Sequence, residues 1–259
     1  MISYLAPGYP EALFEALAAR IGAEIRFEVG RSGPDPLDDP FATGAADVGW
    51  VCSTSFVELT TDRPASVREV GVAWVPDDPD AADRPVYFSD VVVGAGSDVT
   101  CLADLSGARI GCNDPASLSG FHALRIEIRR RGLDVSTFAT LEMTGGHHRS
   151  IDRLLAGELD AAVIDSVVRT HRMRHDPDAR ALRVVERLGP WPTQPVVVHA
   201  GADDETVSEI REALLAANDD PDVRRLLAES ALTRLAPTSV DHCTEVRAAM
   251  TRFSRPNTH

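Results

Sequence analysis

The chain predicts a two-lobed α/β fold with mixed, mainly parallel sheets and a hinge. Three observations carry that expectation: strand-like and helical segments alternate along most of the 259 residues, two segments read as crossings between α/β units, and hydroxyl-rich loops sit where strands give way to helices.

Ile2 to Leu5 is a short apolar strand, Tyr9 to Ile21 places Leu13, Leu17 and Ala18 on one helical face, and Glu24 to Val29 alternates as a strand, completing a β-α-β opening. Gly30 to Pro40 is a loop rich in Gly, Pro and Asp. Ala46 to Val51 reads as a buried strand, Ser53 to Thr61 as a helix, Val67 to Val75 as a strand, Pro76 to Pro85 as an exposed acidic loop, and Val86 to Gly94 as a strand. The rhythm continues with a strand over Arg109 to Cys112, a helix over Leu118 to Arg131, a strand over Phe138 to Met143 and a helix over His148 to Ala156. A strand over Ala161 to Ile164 and a helix over Ser166 to His175 follow. Leu182 to Leu188 and Val196 to His199 are strands around a stiff, proline-rich turn at Gly189 to Pro195. The tail is helical over Asp203 to Ala217, Asp220 to Glu229 and Val240 to Phe253, and Ser254 to His259 are expected to fray. The crossings fall near Ser89 to Gly94 and Leu188 to Pro195. They divide the chain into a discontinuous first lobe, 1–90 with 193–259, and an inserted second lobe, 91–192. Strand C-terminal ends and helix N-termini would then face a cleft between the lobes.

Composition narrows the function. All 26 basic residues are arginine against 40 acidic ones, a formal net charge of −14, which opposes nucleic acid or an anionic membrane as partner while leaving room for an arginine-lined anion pocket. The absence of lysine excludes Schiff-base chemistry, pyridoxal phosphate anchoring and a Walker-type phosphate lysine. Cys52, Cys101, Cys112 and Cys243 lack C-x-x-C spacing, so neither a zinc knuckle nor a redox pair is expected. No apolar run of about 18 residues argues for membrane insertion. Met1 to Gly8 lacks the basic and apolar regions of a secretory signal, which reads as cytoplasmic for the chain as it stands and extracytoplasmic if a leader has been removed.

The stretch Gly111 to Gly120 is the most informative, because a strand end turns into a helix with Ser117 and Ser119 at its mouth. A helix start has unpaired N–H groups and the positive end of the dipole, so an oxyanion meets donors there without a lysine. The serines add hydroxyl donors, and Gly120 lets a ligand approach the backbone. Ordinary serine capping is the alternative. Trp50 to Phe56 mirrors this junction in the first lobe, with Ser53 a cap or a ligand contact and Trp50 a core residue or a stacking wall. Tyr9, beside Pro7, Gly8 and Pro10, occupies the same kind of edge. Asp165 follows an apolar strand and precedes a helix, which makes it an N-cap or a ligand contact. His147 and His148 lie at a helix start and point about 100° apart. A metal set of Glu142, His147, His148 and Asp165 has no ligand spacing behind it, so neither a metal nor a cofactor is expected.

Further motifs carry a resemblance. Tyr87-Phe88-Ser89-Asp90-Val91-Val92-Val93 fits a Tyr-x-Ser-x-hydrophobic strand, Asp104-Leu105-Ser106-Gly107 an Asp-Leu-x-Gly turn, and Asp114 to Gly120 an Asp-Pro-x-Ser-Thr-Ser-Gly loop. Gly145-Gly146-His147 fits Gly-x-His, Gly157 to Ser166 fits Gly-x-hydrophobic-Asp-Ala-Ala-x-x-Asp-Ser, and Pro192-Thr193-Gln194-Pro195 a Pro-x-x-Pro return. In this order, across roughly residues 46 to 200, the chain resembles the phosphate, phosphite and phosphonate branch of the type II periplasmic solute-binding proteins. The resemblance implies a hinge-closing, non-catalytic binder that clamps a small phosphonate-like oxyanion and hands it to an ABC transporter permease. Ser117, Ser119, the Gly120 backbone and His147 would hold the oxyanion, Tyr87 would add a hydroxyl, and Asp165 matches an acidic position that recognises an amine or other donor on the ligand. Leu118 is expected to touch the ligand too but departs from the pattern, standing where the family has a Thr and replacing a donor by apolar bulk. Two alternatives remain on the same bilobal scaffold: a cytoplasmic enzyme acting on a small anionic metabolite, and an intracellular ligand sensor.

Overall fold

A computed structural model describes residues 1–35, 37–61, 65–239 and 241–253. The first part of the chain forms β1 (Ile2–Ser3), α1 (Glu11–Arg20), β2 (Arg26–Phe27), β3 (Val48–Trp50), α2 (Ser53–Thr61), β4 (Val67–Glu69) and β5 (Val72–Pro76). The middle forms β6 (Val86–Val93), β7 (Arg109–Cys112), α3 (Ala123–Arg130), α4 (Val135–Phe138), β8 (Thr140–Met143), α5 (His147–Leu155), β9 (Ala161–Asp165), α6 (Ser166–His175) and β10 (Arg183–Pro192). The remainder is β11 (Val196–His199), α7 (Asp204–Ala216), α8 (Pro221–Glu229), β12 (Leu232–Pro237) and α9 (Thr244–Phe253).

The strands form two five-stranded sheets, β2-β1-β3-β11-β4 and β10-β6-β9-β7-β8, and a β12-β5 ribbon. The sheets are mixed. Parallel pairing links β2, β1 and β3 in one and β9, β7 and β8 in the other, while β6, β10 and β11 run antiparallel to their neighbours. Within each parallel set the C-terminal ends lie on one edge, so the loops after β1, β2 and β3, and those after β7, β8 and β9, emerge together.

Packing rather than propensity holds these elements. Leu13, Phe14 and Leu17 bury one face of α1, at about 1.5–3 kcal/mol each, far more than a ten-residue helix gains by itself in water. Beneath α1, Trp50 and Trp74 stack with centroids 5.7 Å apart and planes within 4°, and Tyr9 stacks on Trp74 at 4.8 Å. A separate core of Val91, Val93, Ile110, Leu124 and their neighbours fills the second sheet.

Several boundaries differ from expectation. The strand predicted over Val67 to Val75 is broken at Gly71, whose φ of 79° turns the chain out of the first sheet into β5. The ribbon partner β12 was not anticipated, because its pairing with distant β5 leaves no local periodic signal. The proline-rich turn is partly strand: β10 continues to Pro192 with a bulge between Leu188 and Trp191, which prolines tolerate because β10 is an edge. The helix expected from Leu118 opens as a wide π turn over Leu118–His122 before α3. Of the last predicted helix, residue 240 lies outside the described residues, as does the fraying expected over 254–259.

Candidate ligand-binding site

A cavity of about 340 Å³ opens where the two sets of strand ends meet. The second sheet supplies Asn113, Ser117 and Ser119 after β7, the turn from Gly145 to Arg149 after β8, and Asp165 at the end of β9. From the first sheet come the loops after β1 and β2, and Gln194 arrives from the return stretch between β10 and β11.

The deep end is rich in donors. Ser117 caps the π turn, its Oγ accepting from the Gly120 N–H at 3.1 Å and from Asn113 Nδ2 at 3.4 Å, so its own hydrogen remains for the cavity. Ser89 Oγ donates to the Ser119 carbonyl at 2.5 Å, pinning this loop to β6. His147 opens α5 behind Gly146, which brings no side-chain cap, and the first intrahelical bond is made by the Ser150 N–H to Gly146 O. The N–H groups of residues 147 to 149 therefore have no acceptor within the helix. His147 is only 9% exposed, yet its Nδ1 has no hydrogen-bond partner among the described residues. Burial first, and His148 second, push its pKa down to about 3 against a backbone hydrogen bond to Val163, so the ring is neutral near pH 7, its one N–H goes to Val163 and its Nδ1 is left as an acceptor. His148 turns aside, its Nε2 lying 3.1 Å from the Pro7 carbonyl.

Asp165 serves the protein on both oxygens. Oδ1 accepts from the Val167 and Val168 N–H groups at 2.8 and 3.4 Å, capping α6. Oδ2 accepts from Tyr9 Oη at 3.2 Å and Gln194 Nε2 at 3.1 Å, and Gln194 Oε1 in turn accepts from Trp74 Nε1. Burial pushes the carboxyl up to about 7, with these four donors opposing it. Other contacts cross the cleft mouth: Ser32 Oγ donates to Asp114 Oδ2 at 2.6 Å, and Thr54 Oγ1 donates to the Ala116 carbonyl.

The cavity thus gathers Tyr9, Ser117, Ser119, His147 and Asp165 from the predicted set, while Trp50, Ser53, Tyr87, Leu118 and Gly120 do not line it. Each of the latter has a structural reason. Trp50 lies in the aromatic stack, and Ser53 Oγ donates to the Pro192 carbonyl at 3.2 Å. Tyr87 packs into the first core, its hydroxyl buried beside the Ser119 side chain. Leu118 is apolar because it packs against Cys52, Val57 and Val246 of α9, which accounts for its departure from the family's Thr; its N–H donates to Cys52 Sγ at 3.2 Å. The Gly120 amide is taken by Ser117, and its contribution is the missing side chain. A Cβ there would lie 2.3 Å from Asn113 Cβ and 2.9 Å from His147 Cε1. Sequence reading missed Arg31, Ser32, Asn113, Arg149 and Gln194 as lining residues. The run Gly30-Arg31-Ser32-Gly33 was readable as a loop at a strand's C-terminal end, the same grammar as Ser117 to Gly120. Among the described residues no group of three or more His, Cys, Asp or Glu side chains is arranged to hold a metal ion.

Residues 10–243 match the family model for the periplasmic phosphonate substrate-binding protein of ABC transporters. In fold, the chain is similar to the binding protein component of an ABC phosphonate transporter from Pseudomonas aeruginosa, at 17% identity and a TM-score of 0.78, covering 98% of this chain and 85% of that one. It is likewise similar to PhnD1 from Prochlorococcus marinus, solved with methylphosphonate, at 13% identity, a TM-score of 0.78 and coverage of 98% and 97%. The aliphatic sulphonate-binding protein SsuA of Escherichia coli is a more distant likeness, with 14% identity, a TM-score of 0.61 and coverage of 97% and 91%. No curated protein matches the chain. The match to the family model spans most of the chain and agrees with the mixed α/β architecture, so the chain belongs to the phosphonate substrate-binding protein family of ABC transporters.

Proposed function

We propose that this protein clamps a small phosphonate-like oxyanion between two lobes, 1–90 with 193–259 and 91–192, and delivers it to a transporter permease outside the cytoplasmic membrane. The observation that carries the reading is the donor set at the deep end of the cavity. Two buried serines and the first turn of α5 converge without a carboxylate among them, beside the Nδ1 of a buried neutral histidine that has no partner among the described residues. Sheet membership supports a discontinuous first lobe around an inserted second one, but favours a first crossing just before Val86 rather than after residue 90, since β6 through β10 form one sheet and the strands on either side form the others. Contacts to the ligand from both walls would favour closure, as Ser32 with Asp114 and Tyr9 with Asp165 already do. Family membership supports the role of permease partner, and the net charge of −14 opposes nucleic acid. No described helix is long and apolar enough to cross a membrane. The relatives lend no support to the alternative of an enzyme on this scaffold.

Replacing Ser119 and His147 together by alanine tests the reading. Each hydrogen bond to a charged ligand is worth about 1.5–3 kcal/mol, so methylphosphonate affinity measured by calorimetry is expected to fall at least about 100-fold. An unchanged affinity in a folded double variant would remove the proposed anion site.

A further inference from the structure

We infer that the ligand carries a second acidic group beyond its phosphonate-like head, and that Arg149 at the mouth of the cavity selects it; this rests on the oxyanion reading above. The cavity is polarised along its depth. Ser117, Ser119 and His147 are buried, whereas the rim holds two exposed arginines, Arg31 after β2 and Arg149 in the first turn of α5. Arg31 pairs with Asp35 at 3.2 Å, but Arg149 has no carboxylate partner among the described residues. Its Nη1 lies 3.5 Å from where a Cβ on Gly145 would stand, which places the guanidinium over the rim rather than out along the helix. Electrostatics make this position unusual. The first turn of a helix favours acidic side chains, and α5 has none there, reading His147-His148-Arg149 instead. An incoming anion relieves that arrangement.

The same geometry disfavours an amine. Asp165 is the one carboxylate among the described residues lining the cavity, and four donors, two backbone N–H groups, Tyr9 and Gln194, occupy its lone pairs. A ligand ammonium would find no free acceptor carboxylate and would face Arg149. A ligand carboxylate would meet a planar guanidinium able to bind both its oxygens.

Calorimetric titration of the full chain with ethylphosphonate, 2-aminoethylphosphonate and 2-carboxyethylphosphonate tests this, because the three share head and spacer. The carboxylated ligand is expected to bind about tenfold tighter than ethylphosphonate, with the amine weakest, and Arg149→Gln is expected to bring the carboxyl-to-ethyl ratio to about one. Arg149 is exposed, and a melting curve confirms that the variant is folded. Tighter binding of the amine than of the carboxylate, no preference among the three, or a carboxyl preference that survives Arg149→Gln overturns the inference while leaving the oxyanion site standing. Failure of all three to bind overturns the oxyanion reading, and this inference with it.

Discussion

Two hydroxyl-rich strand-to-helix junctions meet across the cleft: Cys52 to Ser55 between β3 and α2, and Ser117 to Gly120 beyond β7. In the first, every hydroxyl donates to the protein. Ser53 reaches the Pro192 carbonyl, Thr54 the Ala116 carbonyl, and Ser55 the Ser32 carbonyl. In the second, Ser117 is surrounded by donors, the Gly120 N–H and Asn113 Nδ2, so its oxygen is occupied and its hydrogen is not. The same residue types therefore do opposite work. A hydroxyl among carbonyls becomes adhesive for the protein itself, whereas a hydroxyl among amides keeps a proton to offer an anion.

The largest expected effect comes from closing the gap on which the second junction depends. Gly120→Ala drives a methyl group into Asn113 and His147, and displacing both should lower methylphosphonate affinity about 100-fold or more by calorimetry. Affinity retained within about tenfold would mean that this junction is as structural as the first.

Asp165, at the β9–α6 junction, supplies an intermediate test because it is spent on the protein although it lines the cavity. Its folded carboxyl is raised to about 7 from an ordinary 3.8, so between those values the folded state holds a proton that the unfolded chain has lost. Wild type is therefore expected to lose stability relative to Asp165→Asn as pH rises from about 4 to about 7, measured by urea denaturation at a series of pH values. Parallel curves for the two proteins would show that Asp165 is not the titrating group.

The smallest effect belongs to the adhesive junction. Ser53→Ala and Thr54→Val each remove one hydrogen bond and are expected to cost about 1 kcal/mol of unfolding free energy, with phosphonate affinity within about twofold of wild type. A loss of affinity larger than the loss of stability would erase the contrast between the junctions.

Much of this molecule was legible beforehand. Alternating strands and helices gave an α/β expectation, and the motifs at Ser117 to Gly120, His147 and Asp165 fell on strand ends that parallel pairing carries to one edge. The failures share a cause. Leu118 and Tyr87 lie within motifs that match or nearly match the family's, yet one packs on α9 and the other in the first core. Gln194, Ser32 and Arg149 reach the cavity from three separate loops, and no local pattern links them.

Sequence alone determined the acidic, lysine-free character of the chain, the alternation of its elements and the placing of hydroxyls and histidines at helix starts, because these depend on residue type and short-range spacing. Tertiary structure alone decided where each polar hydrogen goes. It turned Ser53 and Thr54 toward carbonyls, surrounded Asp165 with four donors and left the Ser117 hydrogen without an acceptor among the described residues. Hydrogen-bond partners in a fold are chosen by neighbours far apart along the chain, and short-range spacing carries no information about those neighbours.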